Sequence, residues 1–335
     1  MKKEEVNFSR YISGQRQGHY ESFFMRANHP HLPQAFWIRY TIFSPNQHPE
    51  NAIGELWAIY FDGLAHKSIA VKQEVKMDRC VFNNHAFDIH IGDSFLRSNE
   101  LKGNAATTEN NITWNLNFKG DAEPLFVLPE NLYEGGFPKA KLLVAKPMAV
   151  FNGSLTVNGK NINIADWVGS QNHNWGSKHT DNYAWGQVAG FDNFPASFFE
   201  ISTARLKMGP VWTPFFTIMV LRHNGKEFRL NNLLQGLGAK GSFSNFNWDF
   251  YSKTSEATIS GNIHAQKEDF TGLRYYNPPG GIKNCINTKI ASCEIKVCYK
   301  QNDGHRKEEI LQTANRAAFE ILTEDKNNEI LDFYL

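Results

Sequence analysis

Long apolar runs are missing from this sequence. No stretch approaches the roughly 20 apolar residues that a helix needs to cross a bilayer. The longest apolar patch, 215–221, has the length of a strand. The opening residues, MKKEEVNFSRYIS, carry two lysines but no apolar core, so they do not read as a secretory signal. Cysteine is scarce: Cys80, Cys285, Cys293 and Cys298 form no C-x-x-C pair and no zinc spacing. Cys293 and Cys298 lie an odd number apart, so on one strand they face opposite sides. Reduced, buried thiols in a cytoplasmic protein are the expectation. Neither sign of charge is in excess, with 35 basic against 34 acidic residues. That balance gives no field for steering nucleic acid or an anionic membrane. G-x-S-x-G, P-loop and G-x-G-x-x-G signatures are all absent. Helical periodicity is rare as well. The one helix expected is 306–322, where Ile310, Leu311, Ala314, Ala317, Ala318, Ile321 and Leu322 fall at helix spacing. A strand through 317–322 competes with it.

What is present is alternation. Ile112, Trp114, Leu116 and Phe118 are separated by polar residues, as are Ile89 and Ile91, Leu155 and Val157, and Ile259 and Ile263. Asn158-Gly159 after such a run signals a hairpin. The runs FWIRYTIF (36–43) and ELWAIYF (55–61) predict a second hairpin with a longer connection. Turn dipeptides recur, and aromatic residues reach 13%, which suits pleated, half-buried surfaces. A chain of 335 residues exceeds one simple core and predicts two domains. The expected fold is all-β, two lipocalin-like antiparallel β-barrels packed together with little helix, over 15–178 and 179–335. The segment 124–147 is poorly periodic and reads as a long connection.

Chemistry-bearing residues concentrate in WVGSQNHNWGSKHTDNYAWGQ, residues 167–187. His173 and His179 can each exchange a proton near neutral pH. Gln171, Asn172 and Asn174 can orient an imidazole or hold a substrate oxygen. Trp175 and Trp185 offer π-faces to a developing cation. Either these side chains line a ligand cavity, or they form a hydrogen-bonded plug at a barrel end. A second set, Glu21, Arg26, Arg39 and Glu55, sits among aromatics in strand-like sequence and could form buried ion pairs. A buried carboxyl with a raised pKa would serve as a general acid, and Glu21 and Glu55 are the candidates. The 12 histidines show no zinc spacing, and His173 and His179 lack a third ligand in sequence, so no metal is expected.

The run Gly169 to Gly176, then His179, Tyr183 and Trp185, resembles the signature of calycin-type proteins. These include AttH-like proteins, hydroxyneurosporene synthase (carotenoid hydratase) and, more distantly, plant tocopherol cyclase. Similar pieces are Tyr20-Glu21-Ser22-Phe23-Phe24 with Arg26-Ala27-Asn28, then Gly54-Glu55-Leu56-Trp57, then Tyr276-Asn277-Pro278 through Asn287-Thr288-Lys289. The resemblance implies two packed barrels and an apolar ligand site. It also implies protonation, hydration or cyclisation of isoprenoid- or polyketide-like lipids without a redox cofactor. Hydratase-like members often carry an acid before the motif histidine, where this chain has Asn172; the acid here would be His173, Glu21 or Glu55. The expected function is therefore a cofactor-independent lyase or isomerase. His173, His179, Glu21 and Glu55 are its catalytic candidates. Gln171, Asn172, Asn174, Trp175, Tyr183, Trp185, Arg26 and Trp57 are the candidate substrate contacts. The expected partner is a hydrophobic small molecule, collected by transient membrane contact at most, with no nucleic acid. The alternative is a non-catalytic carrier of a lipid or pigment; a protein-interaction scaffold ranks behind both.

Overall fold

A computed structural model describes residues 2–301, 303–323 and 333–334. Strands dominate, and the one α-helix among the described residues is Leu233–Gly238. The first sheet begins with a meander of His19–Asn28, Gln34–Ser44, Ile53–Asp62 and Lys67–Lys76. Its opening strand also pairs with Lys160–Gly176, which pairs in turn with Ala140–Val157 and so leads on to Asn111–Lys119 and Glu100–Ala106. The second sheet is centred on Asn182–Ala189, Phe198–Arg205, Ile282–Lys300 and Arg306–Thr323. Both sheets are antiparallel along these strands and curl over their own apolar interiors. Phe23, Phe36, Tyr40, Trp114 and Trp167 fill the first, and Phe199, Trp248, Ile263 and Phe319 fill the second.

Alternation shows where a strand meets water. Asn111–Lys119 buries every second residue, one face in the core and one in solvent. His19–Asn28 is buried at every position. Its outer face packs on the other sheet: Phe24, Trp37, Trp57, Ile59 and Phe61 meet Trp185, Leu273, Tyr275 and Leu322. The continuous aromatic runs FWIRYTIF and ELWAIYF are thus strands covered on both sides. They form the expected hairpin, with Trp37 opposite Ile59. The Asn158-Gly159 hairpin is present too, closing between Val157 and Lys160.

Two expectations change. Residues 306–322 are strand, not helix: Arg306–Thr323 pairs along its length with Ile282–Lys300. Leu311, Ala317, Phe319 and Ile321 face the second core, while Ala318 and Leu322 face the other sheet. Burial on both faces over 317–322 filled the helix-spaced positions there as well, and cross-strand pairing overrode the helical propensity of the alanines. The long connection at 124–147 is shorter than expected, because the strand Ala140–Val157 has already begun at 140. Register shifts between Val144 and Lys146 and between Pro147 and Ala149 break the period-two pattern there.

Candidate active site between the two sheets

The strand Lys160–Gly176 carries the dense polar stretch, and its pleat sorts that stretch onto two faces. Gln171, His173 and Trp175 turn away from the second sheet; Ser170, Asn172 and Asn174 turn toward it. Close contact fixes the strand's path, since a Cβ at Gly169 would overlap the Arg26 carbonyl oxygen.

His173 is fully buried. Its Nδ1 lies 2.6 Å from the Val6 carbonyl oxygen and its Nε2 lies 2.8 Å from Glu21. The ring stacks on Phe23 at 4.2 Å and leans on Trp175 at 4.7 Å. Glu21 also accepts hydrogen bonds from Ser9 Oγ at 2.7 Å and from the backbone N–H of Arg10 at 2.7 Å and of Tyr11 at 3.2 Å. Burial alone would push the Glu21 carboxyl up. Hydrogen bonds and charge from His173 and His19 outweigh it and hold the carboxyl well below the usual range. Gln171 completes the cluster through a two-way amide pair with Asn7 at 2.8 and 2.9 Å. The N-terminal segment therefore seals this end of the first sheet over a saturated polar cluster. The expected hollow beside His173 and Trp175 is filled, and Glu21 is a committed carboxylate rather than a raised-pKa acid.

Glu55 is buried in an ion pair, 2.8 Å from Lys72. Trp57 meets Tyr275 edge-on at 5.9 Å. Arg26 crosses between the sheets. It donates to Gln187 Oε1 at 2.9 Å, to Asn28 Oδ1 at 2.7 Å and to the Arg316 carbonyl oxygen at 3.1 Å. Gln187 in turn donates to Asn172 Oδ1 and to Glu200, both at 2.8 Å. Glu55, Trp57, Arg26 and Asn172 thus build the junction without lining its cavity.

That cavity, about 90 Å³, lies between the sheets. Its wall includes Tyr20, Ser22, Phe24, Trp37 and Arg39 from the first meander, and Lys141 and Asn174 from the neighbouring strands. His179, Tyr183, Trp185, Ser202, Tyr275 and Glu320 complete it from the second half of the chain. His179 stacks on Tyr20 at 3.9 Å and lies over Tyr275 at 5.8 Å. Burial, reinforced by the nearby Arg39 cation, holds its imidazole at about 3, so it is neutral. Burial pushes the phenols of Tyr20, Tyr183 and Tyr275 up, keeping them protonated donors. Glu320 accepts from Asn287 at 2.9 Å and lies 3.7 Å from Lys289. Behind the wall, Glu200 accepts from Trp185 Nε1 at 2.7 Å. Burial raises Glu200 to about 7, with the Glu320 charge adding to the shift. Burial also brings the Lys289 amine down to about 8.

Of the sequence candidates, Asn174, His179, Tyr183 and Trp185 meet on this wall. The residues not anticipated as site members are Tyr20, Arg39, Tyr275, Glu200 and Glu320. Two of them carried a readable signal: Phe199-Glu200-Ile201 and Phe319-Glu320-Ile321 each set a carboxylate inside an apolar strand. Among the described residues no three His, Cys, Asp or Glu side chains converge to hold a metal ion. No described helix is long and apolar enough to cross a membrane.

No family model matches the chain. An uncharacterized protein of Mycobacterium tuberculosis, from strains CDC 1551 and H37Rv alike, is 25% identical over 187 residues. That match covers 56% of this chain and spans little more than half, 56%, of the relative. Two solved structures share the architecture. One, a protein of Nitrosomonas europaea assigned as AttH, matches at TM-score 0.56 and 11% identity over 91% of each chain. The other, kievitone hydratase of Nectria haematococca, matches at TM-score 0.56 and 11% identity over 94% of each chain. Likeness at that identity speaks for the fold: two curled antiparallel sheets packed face to face, in the AttH-like arrangement that kievitone hydratase also has.

Proposed function

We propose that the protein is a hydratase-type lyase that adds water across a carbon–carbon double bond of a hydrophobic, isoprenoid- or polyketide-like substrate. The observation that carries this reading is the junction cavity, whose wall combines the carboxyl of Glu320, the neutral imidazole of His179 and the rings of Trp37, Trp185 and Tyr275. Glu320 and Glu200 flank Trp185, and burial raises the Glu200 carboxyl to about 7, with the Glu320 charge adding to the shift. The proton held at Glu200 is delivered through Glu320, the member on the wall, to one alkene carbon. The indole faces of Trp37 and Trp185 stabilise the cation at the other. Water adds there, and its surplus proton passes to His179 or back to the carboxylate pair. Alkene and water enter and an alcohol leaves, so no redox cofactor is required. An internal hydroxyl in place of water would make the same step a cyclisation. In this reading Asn174 and Tyr183 orient the substrate, while His173, Glu21 and Glu55 hold the scaffold.

The fold shared with kievitone hydratase supports the reaction class. The cavity, about 90 Å³, is short of the roughly 300 Å³ at which drug-sized ligand pockets begin, so it takes the functional end of a substrate whose apolar body extends beyond it.

The test is incubation of the purified protein with a panel of prenylated phenols and polyene lipids in ¹⁸O-labelled water, read by mass spectrometry. The expected product carries one labelled oxygen and two extra hydrogens. Glu320→Gln should lower its rate on the order of 100-fold or more, the usual share of a general acid. A protein that yields an extractable, unchanged lipid and hydrates no member of the panel would instead be the carrier.

A further inference from the structure

Arg39 is the odd cation of the junction. It sits mid-strand in Gln34–Ser44, opposite Phe24 on one side and Trp57 on the other. Its residue is only 6% exposed, and its guanidinium lines the cavity. Every other cation buried in this region has oxygen partners. Arg26 reaches Gln187, Asn28 and the Arg316 carbonyl oxygen. Lys72 holds Glu55 and Glu74. Lys289 meets Asn287 and Glu320. Arg39 makes no ion pair among the described residues, and its Nε has no hydrogen-bond partner. It has only ring faces, Tyr275 at 4.6 Å and Trp37 at 5.8 Å. Two more donors on the same wall are also unsatisfied, Trp37 Nε1 and Ser22 Oγ. Both residues are buried, at 2% and 1% exposure.

Buried polar groups in folded proteins nearly always have partners, and an unpaired buried charge is the costliest exception. The neighbours that feel the Arg39 charge here, Tyr20, His179, Tyr275 and Cys285, are all neutral, so none of them compensates it. Glu320 has its own cation in Lys289. A guanidinium presents a flat fork that fits a planar oxyanion. We propose that Arg39, with Trp37 Nε1 and Ser22 Oγ, is a subsite for an organic monoanion, a carboxylate or an acidic phenolate or enolate conjugated to a flat apolar body. The substrate class is then an amphiphile with one anionic head held at Arg39 and its double bond presented to Glu320. This rests on the reading that the junction cavity is the substrate site.

The test uses matched probes. Cinnamate and cinnamamide share a body and differ in charge; 4-nitrophenolate and 4-nitroanisole repeat the comparison for a phenolate. Binding is read by quenching of tryptophan fluorescence at a pH above the probe's pKa. At least one anion should bind tenfold or more tightly than its neutral partner, and the pair with the larger ratio identifies the head group. Arg39→Met should abolish the ratio by weakening the anion tenfold or more. It should also leave the melting temperature level or raised, because no protein partner is orphaned. Equal binding of charged and neutral probes, no binding of any, or a ratio that survives Arg39→Met overturns the subsite. So does a fall in melting temperature like that of Arg26→Met, which would make Arg39 structural. The outcomes separate from those for hydration. Charge-selective binding without ¹⁸O incorporation keeps the subsite and removes the lyase; hydration of neutral alkenes alone does the reverse.

Discussion

Glu21 gathers three hydrogen bonds from Ser9, Arg10 and Tyr11 besides its contacts to His173 and His19. Glu21→Gln keeps the volume but removes the charge that these donors surround. Breaking a buried charged pair typically costs about 3–5 kcal/mol. The variant should lose stability of that order in urea unfolding at neutral pH. The pH dependence has a definite sign. The folded carboxyl lies below its unfolded value, so the unfolded chain binds the proton more readily. The stabilisation is complete above the ordinary carboxylate range, about 4.3, and is lost as pH falls below it. Wild type should therefore lose stability steeply below that point, whereas Glu21→Gln should show a flatter acid limb. Parallel acid limbs for the two proteins would contradict a depressed Glu21.

At the scale of the element, much of the fold is readable because a strand's period of two reports which face is wet. Asn111–Lys119 alternates and is half-exposed, whereas Gln34–Ser44 runs largely apolar or aromatic on both faces and is covered twice; His19–Asn28 is covered twice as well, although half of its residues are polar. What the period cannot report is which of two buried faces meets the cavity. Parity alone separates His173 from Asn174, yet only the packing shows that Asn174 lines the junction and His173 the sealed barrel end. The same ambiguity hid residues 306–322: apolar residues buried on both faces over 317–322 satisfy helical and extended spacing alike. Arg39 was legible as a charge among aromatics, but its lack of a partner is a three-dimensional fact. One element-level prediction concerns the seam between His19–Asn28 and Lys160–Gly176. A methyl at Gly169 meets backbone, the Arg26 carbonyl oxygen, rather than a side chain that could swing away. Gly169→Ala should therefore destabilise by several kcal/mol, in the range of overpacked core positions or beyond it. A circular-dichroism melt would check it, with Gly136→Ala, at an open position without a positive φ, as the comparison for generic glycine effects.

For the whole molecule, the question is what keeps two sheets with separate interiors in one register around a small cavity. Apolar contact between them is broad but unspecific in direction, since Phe24, Trp37 and Trp57 present flat faces to Trp185 and Tyr275. Direction comes from Arg26. Its donors reach from the first sheet to Gln187 and to the Arg316 carbonyl oxygen on two different strands of the second. Gln187 passes the connection back to Asn172 and Ser170 and on to Glu200. Arg26→Met would keep most of the side chain's volume and strip every one of these donors. Gln187 Oε1 would keep only the Ser170 hydroxyl as donor, and the junction would lose its registration while each interior stayed intact. The expected result is a loss of several kcal/mol. A second expected sign is a urea transition that broadens or splits when the two halves no longer unfold together. Tryptophan fluorescence, to which the junction indoles Trp37, Trp57 and Trp185 contribute, should then begin to change at lower urea than far-ultraviolet circular dichroism. If the two probes stay coincident in the variant, registration comes from the aromatic faces instead, and the Arg26 network is a consequence of the packing rather than its guide.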